Sequence, residues 1–259
     1  MPDLTFTRLA GSSSSGRLLV VGPSLGTSVE ALWDRAAAAL APAVEVVGWD
    51  LPGHGRSAAT TEPFTVAELA DAVRRRVPEL TAGRPASYAG VSLGGAVALQ
   101  LALDPGVLDA VVCIASAAKI AEEATWIERA ALVRAAGTPV MVGPSSQRWF
   151  ADGFVAREPA VANRLLLSLS DADQESYALA CDALARFDLR ASLDRVKARL
   201  HVAAGAHDVV VPVELARQTA AAAGATFDVL PACGHLPPAE NPAAVAALLT
   251  ESWEVATRG

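Results

Sequence analysis

The stretch at residues 88–103, YAGVSLGGAVALQLAL, changes character at its fifth residue. Up to Val91 it closes an apolar run, Ala86–Val91, with the length of a buried strand. From residue 93 to 103 it is small and apolar, with no charge or proline, as a buried helix would be. Between the two stands Gly90-Val91-Ser92-Leu93-Gly94, the spacing G-x-S-x-G. Three fixed residues at average frequencies near 7% recur by chance in about one chain of this length in ten. The flanking strand and helix therefore carry the reading. Glycines on both sides of Ser92 make room for a sharp turn that lifts its hydroxyl above the end of a strand.

Working outward, the same alternation spans most of the chain. Strand runs are expected at Leu4–Leu9, Arg17–Gly22, Val44–Trp49, Ala86–Val91, Val107–Ala115, Arg199–Gly205 and Thr226–Leu230. Most are apolar nearly throughout, which fits strands covered by helices on both faces. Helices are expected near 28–40, 64–77, 93–103, 213–223 and 242–255, the last opened by Asn241-Pro242. Strand–helix alternation predicts an α/β fold with a mostly parallel, doubly wound sheet of about seven strands. One region breaks it. Residues 117–190 offer no strand but helices near 121–136, 144–150, 157–168 and 172–187, with Gly137 as a C-cap and Asp171 with Gln174 as an N-terminal capping pair. That region reads as a helical lid inserted into a core formed by residues 1–116 and 191–259.

Composition narrows the function. The 259 residues are 52% hydrophobic, enough for one substantial core, and the net charge of −7 offers no footprint for nucleic acid. Cys113, Cys181 and Cys233 are odd in number and far apart, without metal spacing, so free thiols in a reducing cytoplasm are expected. The opening MPDLTFTRLAGSSSS has neither a basic nor a long apolar region, and no apolar stretch approaches a membrane span. No metal or cofactor is expected.

A serine hydroxyl becomes a useful nucleophile when a base takes its proton and an acid orients that base. Of four histidines, His54 lies in the glycine-bounded turn DLPGHGRS and reads as structural. His201 falls inside a strand run, and His207 precedes Asp208 with its side chain directed away. His235, in the loop PACGHLPPAENP after the last strand, is the candidate base. Asp208, after the strand ending at Gly205, is the candidate acid. Its rival position, after Ala115, holds no carboxylate in IASAAKI.

These residues resemble the α/β-hydrolase superfamily over nearly the whole chain, and Ser92, Asp208 and His235 follow that superfamily's order along the chain. The resemblance implies an oxyanion hole formed by the backbone N–H of Leu93 and of Leu25, in the loop Pro23-Ser24-Leu25-Gly26-Thr27. That loop is also readable as an ordinary strand-to-helix turn. With the downstream Trp33 it is similar to the loop of 3-oxoadipate enol-lactonases, as are ASAAKI (115–120), TWIERAALVRAAG (125–137), RWF (148–150), YALACDALARFDLR (177–190) and AGAHD (204–208). Pro23 and Pro52 depart from the family's usual asparagine and arginine, and Ser12–Ser15 stands where a hairpin strand is common.

The implied activity is opening of 3-oxoadipate enol-lactone, without metal or cofactor, in the β-ketoadipate branch of aromatic catabolism. An anionic lactone calls for a cation in the lid. Arg134 ranks first and Arg129 second, with Lys119 and Arg148 further candidates and Trp126 and Trp149 as pocket walls. A carboxylesterase, a C–C bond hydrolase or a perhydrolase would carry the same three residues. A non-catalytic ligand receptor of the same fold is the reading from another class.

Overall fold

The computed structural model describes residues 2–254. The expected helix end at residue 255, and the core's terminal residues 1 and 255–259, lie outside the described residues. The apolar runs form seven strands: β1 (Phe6–Ala10), β2 (Arg17–Gly22), β3 (Val44–Trp49), β4 (Ala86–Val91), β5 (Leu108–Ile114), β6 (Leu200–Gly205) and β7 (Thr226–Leu230). Every residue of β3, β4 and β6 is buried, as strands covered on both faces must be. They assemble in the order β1-β3-β2-β4-β5-β6-β7; β1 runs antiparallel to β3, and every other pair is parallel. The carboxyl ends of the six parallel strands thus share one edge, where open α/β sheets hold their ligands. Ser12–Ser15 forms a turn closed by Ser15 N on Ser12 O.

The core helices are α1 (Val29–Leu40), α2 (Val66–Thr81) and α3 (Leu93–Leu103). Between β5 and β6 come α4 (Glu123–Ala136), α5 (Val142–Arg148), α6 (Phe154–Arg157), α7 (Pro159–Asp171) and α8 (Gln174–Arg186), followed after β6 by α9 (Val213–Ala223), α10 (Pro237–Glu240) and α11 (Pro242–Glu254).

Two local expectations need correction. The helix α2 continues past residue 77 to Thr81 with Pro78 inside it. Arg84 donates to the carbonyls of Leu80 and Thr81, each at 3.0 Å, so the carbonyls of the last turn keep partners. The cap of α8 is Asp173 rather than Asp171, which stays in the last turn of α7. Asp173 Oδ1 accepts from Ser176 N at 2.8 Å, while its own N–H is held by Gly53 O at 2.8 Å.

That last bond belongs to the seam between the helical insertion and the sheet. The loop after β3 is folded tightly by Asp50, whose carboxylate accepts from Val29 N and Arg56 N. It presents His54 to α8, where the imidazole stacks on Tyr177 with ring centres 6.0 Å apart. His54 Nδ1 lies 2.9 Å from Pro52 O, and Nε2 is sealed from solvent with no hydrogen-bond partner among the described residues. Burial opposes the imidazolium more than Pro52 O and the Asp173 charge favour it, and the pKa falls to about 4. An unfolded histidine takes up its proton near 6.5, so between there and about 4 the unfolded chain binds more protons than the folded one. Stability from His54 is complete above that window and declines as pH falls through it, by about 3 kcal/mol in all. Denaturant unfolding of His54→Asn over pH 7 to 4 is expected to show a shallower acid decline than the parent chain; an identical slope would show that His54 does not titrate there.

Candidate active site

Ser92 sits where β4 hands over to α3, with φ 55° and ψ −112°. A residue other than glycine rarely holds a positive φ, and such strain persists only where the surroundings over-determine it. Here they do. Ser92 N donates to Ile114 O at 3.0 Å and Gly94 N to Pro23 O at 2.9 Å, so neighbouring strand ends grip the turn from both sides. A Cβ on Gly90 would fall 2.0 Å from Gly94 O, and one on Gly94 would fall 2.6 Å from Pro23 O. Both glycines of the motif are thus required by backbone lying on backbone.

Asp208 and His235 stand on the loops following β6 and β7. His235 Nδ1 lies 2.9 Å from Asp208 Oδ2, and both side chains are almost wholly buried. Asp208 Oδ1 accepts from Val210 N at 2.8 Å and Val211 N at 3.0 Å, which fixes the carboxylate. The Asp208 bond occupies Nδ1 and leaves Nε2 as the acceptor on the opposite side of the ring. His207 is exposed, and His201 pairs instead with Asp228 at 2.8 Å.

The loop after β2 is a tight turn closed by Thr27 N on Ser24 O at 3.0 Å, with Gly26 at φ 84° in its third position, as a type II turn requires. The amides of Ser24, Thr27, Ser92 and Gly94 are all engaged within the protein. Among the described residues, no group accepts from the N–H of Leu25 or Leu93. Leu93 also opens α3, whose dipole favours negative charge at that end.

Trp149 joins these parts. Its carbonyl accepts from His235 N at 2.8 Å, and its ring lies 3.5 Å from where a Cβ on Gly26 would be, beside Tyr177 at 3.4 Å. Ser92 and His235 are 5% and 2% exposed. Glu240, four residues beyond the limit of the GHL turn that holds His235, was not among the sequence candidates, yet it accepts from three loop amides. A carboxylate that close behind a loop histidine is the signal that could have pointed to it.

The cations of the helical insertion separate into two groups. Arg134 is exposed and bound to Glu175 and Asp182, each at 2.8 Å, so it stitches α4 to α8 and its charge is already neutralised. That corrects its first rank. Lys119 lies 3.9 Å from Asp188. Arg129 and Arg148 are half-buried, and among the described residues neither forms an ion pair. Arg129 lies over the Trp126 ring at 4.8 Å, and both arginines act on the buried Tyr177 hydroxyl. Burial and the charge of Arg129 together push the Arg148 pKa down. Trp126 itself is buried and donates to Ile120 O.

The model of the alpha/beta hydrolase family matches residues 18–248, which include every element named in this site. The chain belongs to the alpha/beta hydrolase family. This hydrolase is similar to a protein of Acinetobacter baylyi named 3-oxoadipate enol-lactonase 2, with 33% identity over 75% of this chain and 73% of that protein. Its structure resembles the crystal structure of the enol-lactonase from Burkholderia xenovorans LB400, with a TM-score of 0.89 and 27% identity, covering 97% of this chain and 96% of the other. A hydrolase from Pseudomonas aeruginosa PA01 superimposes with a TM-score of 0.87 and 30% identity, over 96% and 93% of the two chains.

The hydrolase's site rests on one more close approach. A Cβ on Gly205, the last residue of β6, would fall 2.0 Å from Gly234 O, beside His235. Gly205→Ala is expected to destabilise the protein by about 1–3 kcal/mol, as overpacking does, in chemical denaturation. A loss within measurement error would show that the two loops can separate freely.

Proposed function

We propose that this hydrolase opens the ring of 3-oxoadipate enol-lactone to give 3-oxoadipate, acting in the cytoplasm without metal or cofactor. The observation that carries the reaction class is the strained Ser92 turn at the N-terminus of α3, sharing a sheet edge with a buried Asp208–His235 pair. In the reaction, His235 Nε2 takes the Ser92 proton as Oγ attacks the lactone carbonyl. The N–H groups of Leu25 and Leu93 then stabilise the oxyanion. The ring C–O bond breaks, the enol oxygen leaves with the proton from His235, and the enol tautomerises to the ketone. Water, deprotonated by His235, attacks the acyl-serine; the acid departs and Ser92 regains its proton. The Asp208 carboxylate keeps the imidazole in the tautomer that each step requires.

Similarity to the two enol-lactonases supports the substrate. So does the lid, taken as residues 117–190, whose Arg129 and Arg148 repel one another beside Tyr177. A carboxylate seated between them relieves that repulsion and restores to Arg148 the partner its burial calls for. Trp149 and Trp126 wall the space, and Arg134 and Lys119 serve to hold the lid together.

Turnover of the enol-lactone beside a neutral aryl ester tests the reading. Ser92→Ala and His235→Ala are each expected to lose at least about three orders of magnitude in turnover, and Asp208→Asn also to lose heavily. Retained turnover in Ser92→Ala would sink the mechanism. A parent chain that hydrolyses only the aryl ester would be a carboxylesterase, and one that turns over neither would favour the receptor reading.

Carboxylate recognition has its own signature. Arg129→Met or Arg148→Met is expected to raise KM for the enol-lactone about tenfold or more, roughly 1.4 kcal/mol, and to leave the aryl ester nearly untouched. Arg134→Met should change neither substrate selectively. Equal losses on both substrates would make the arginines lid supports instead.

A further inference from the structure

Glu240 closes α10, one turn past His235, and its carboxylate is turned back into the loop it has just left. Oε1 accepts from Gly234 N at 2.9 Å and Leu236 N at 3.1 Å, the amides on either side of His235. Oε2 accepts from Ala151 N at 2.7 Å, which belongs to the helical insertion. Two residues before Ala151, the Trp149 carbonyl accepts from His235 N at 2.8 Å. The backbone of His235 is thereby bonded at all three successive amides, two to one carboxylate and one to the segment that the same carboxylate tethers. A single side chain closes this ring of bonds, and a carboxylate suits it because both of its oxygens accept and neither donates.

We propose that Glu240 is a positioning residue for His235, which sets the imidazole against Ser92 and makes docking of the Trp149–Ala151 segment part of assembling the base. This rests on the assignment of His235 as the general base. The carboxylate is placed for the task by α10, whose Ala239 carbonyl is held by Arg35 of α1 at 3.3 Å. Arg35 also reaches Glu158 at 3.4 Å, so its charge is shared with a second carboxylate. The other titratable groups facing Glu240 are His235 itself, with Asp208 behind it, and the Cys233 thiol, which burial and the Glu240 charge keep protonated. Burial holds the pKa of Glu240 above the ordinary carboxylate value, and the three amides and the charge of His235 offset only part of that rise.

The test reads Ser92 directly, through the rate of its phosphonylation by a fluorophosphonate probe, which needs the base but not the natural substrate. Glu240→Gln keeps the size of the side chain, removes the charge and turns an N–H₂ toward Ala151 N–H. Labelling is expected to slow about ten- to a hundredfold, the scale of a small misplacement of a catalytic group. Glu240→Asp keeps both acceptor oxygens but is one methylene too short to span all three amides, so it should recover part of the rate lost in Glu240→Gln. A folded Glu240→Gln chain with a parental rate, or a Glu240→Asp chain no faster than Glu240→Gln, overturns the proposal. If that variant does not fold, a parental rate in Glu240→Asp overturns it. His235→Ala, run alongside, tests the assignment beneath: labelling that survives in His235→Ala removes His235 as the base, whatever Glu240 does.

Discussion

The constraint on which this molecule turns is a positive φ at a serine. Ser92 can occupy that conformation only because Ile114 O and Pro23 O hold the amides on either side of Leu93, and because Gly90 and Gly94 carry no Cβ to obstruct the approach. Those carbonyls belong to the last residue of β5 and the first residue after β2, the strands that flank β4. The strained turn therefore presupposes three strand ends in register. Deeper aromatic residues secure the same point: Trp33 Nε1 donates to Gly22 O at 2.9 Å and Tyr88 Oη to Gly94 O at 3.1 Å. Hydrophobic burial along the sheet supplies the energy, and main-chain contacts at its edge convert it into a local geometry that a free chain would avoid.

Around that edge the protein uses backbone groups more than side chains. Pro23 contributes a carbonyl, so the exchange of asparagine for proline at that position leaves the Gly94 bond intact. Side chains enter where a loop must be held at a distance from any strand. Asp50 gathers the turn before His54, Asp208 gathers its own loop before reaching His235, and Glu240 gathers the loop around His235. Asp50 and Asp208 are buried and Glu240 partly so, and each has backbone amides on its oxygens, which is what makes a carboxylate tolerable there.

The fold was legible because its signals are local. Strand runs and helices announce themselves over six to fifteen residues, and the spacing around Ser92 lies within five. That Asp208 and His235 lie together was legible from their places after strands, with His235 chosen among four histidines. Arg134 was misjudged because its partners, Glu175 and Asp182, lie on α8 more than forty residues away, and nothing near Arg134 in the chain declares them. Asp171 looked like a cap by spacing alone, but the bond from Asp173 N to Gly53 O, made across the seam, places the boundary two residues later. Glu240 was harder to find for a related reason: its partners are backbone amides, so only its place close behind His235, and no complementary side chain, points to it.

Trp149 has two attachments of different kinds. Its ring covers the turn at Gly26, while its carbonyl supports His235. Trp149 therefore ties the loop after β2 to the loop after β7, strands that are not neighbours in the sheet. A change of side chain there would be felt at both places at once, although the residue belongs to neither loop.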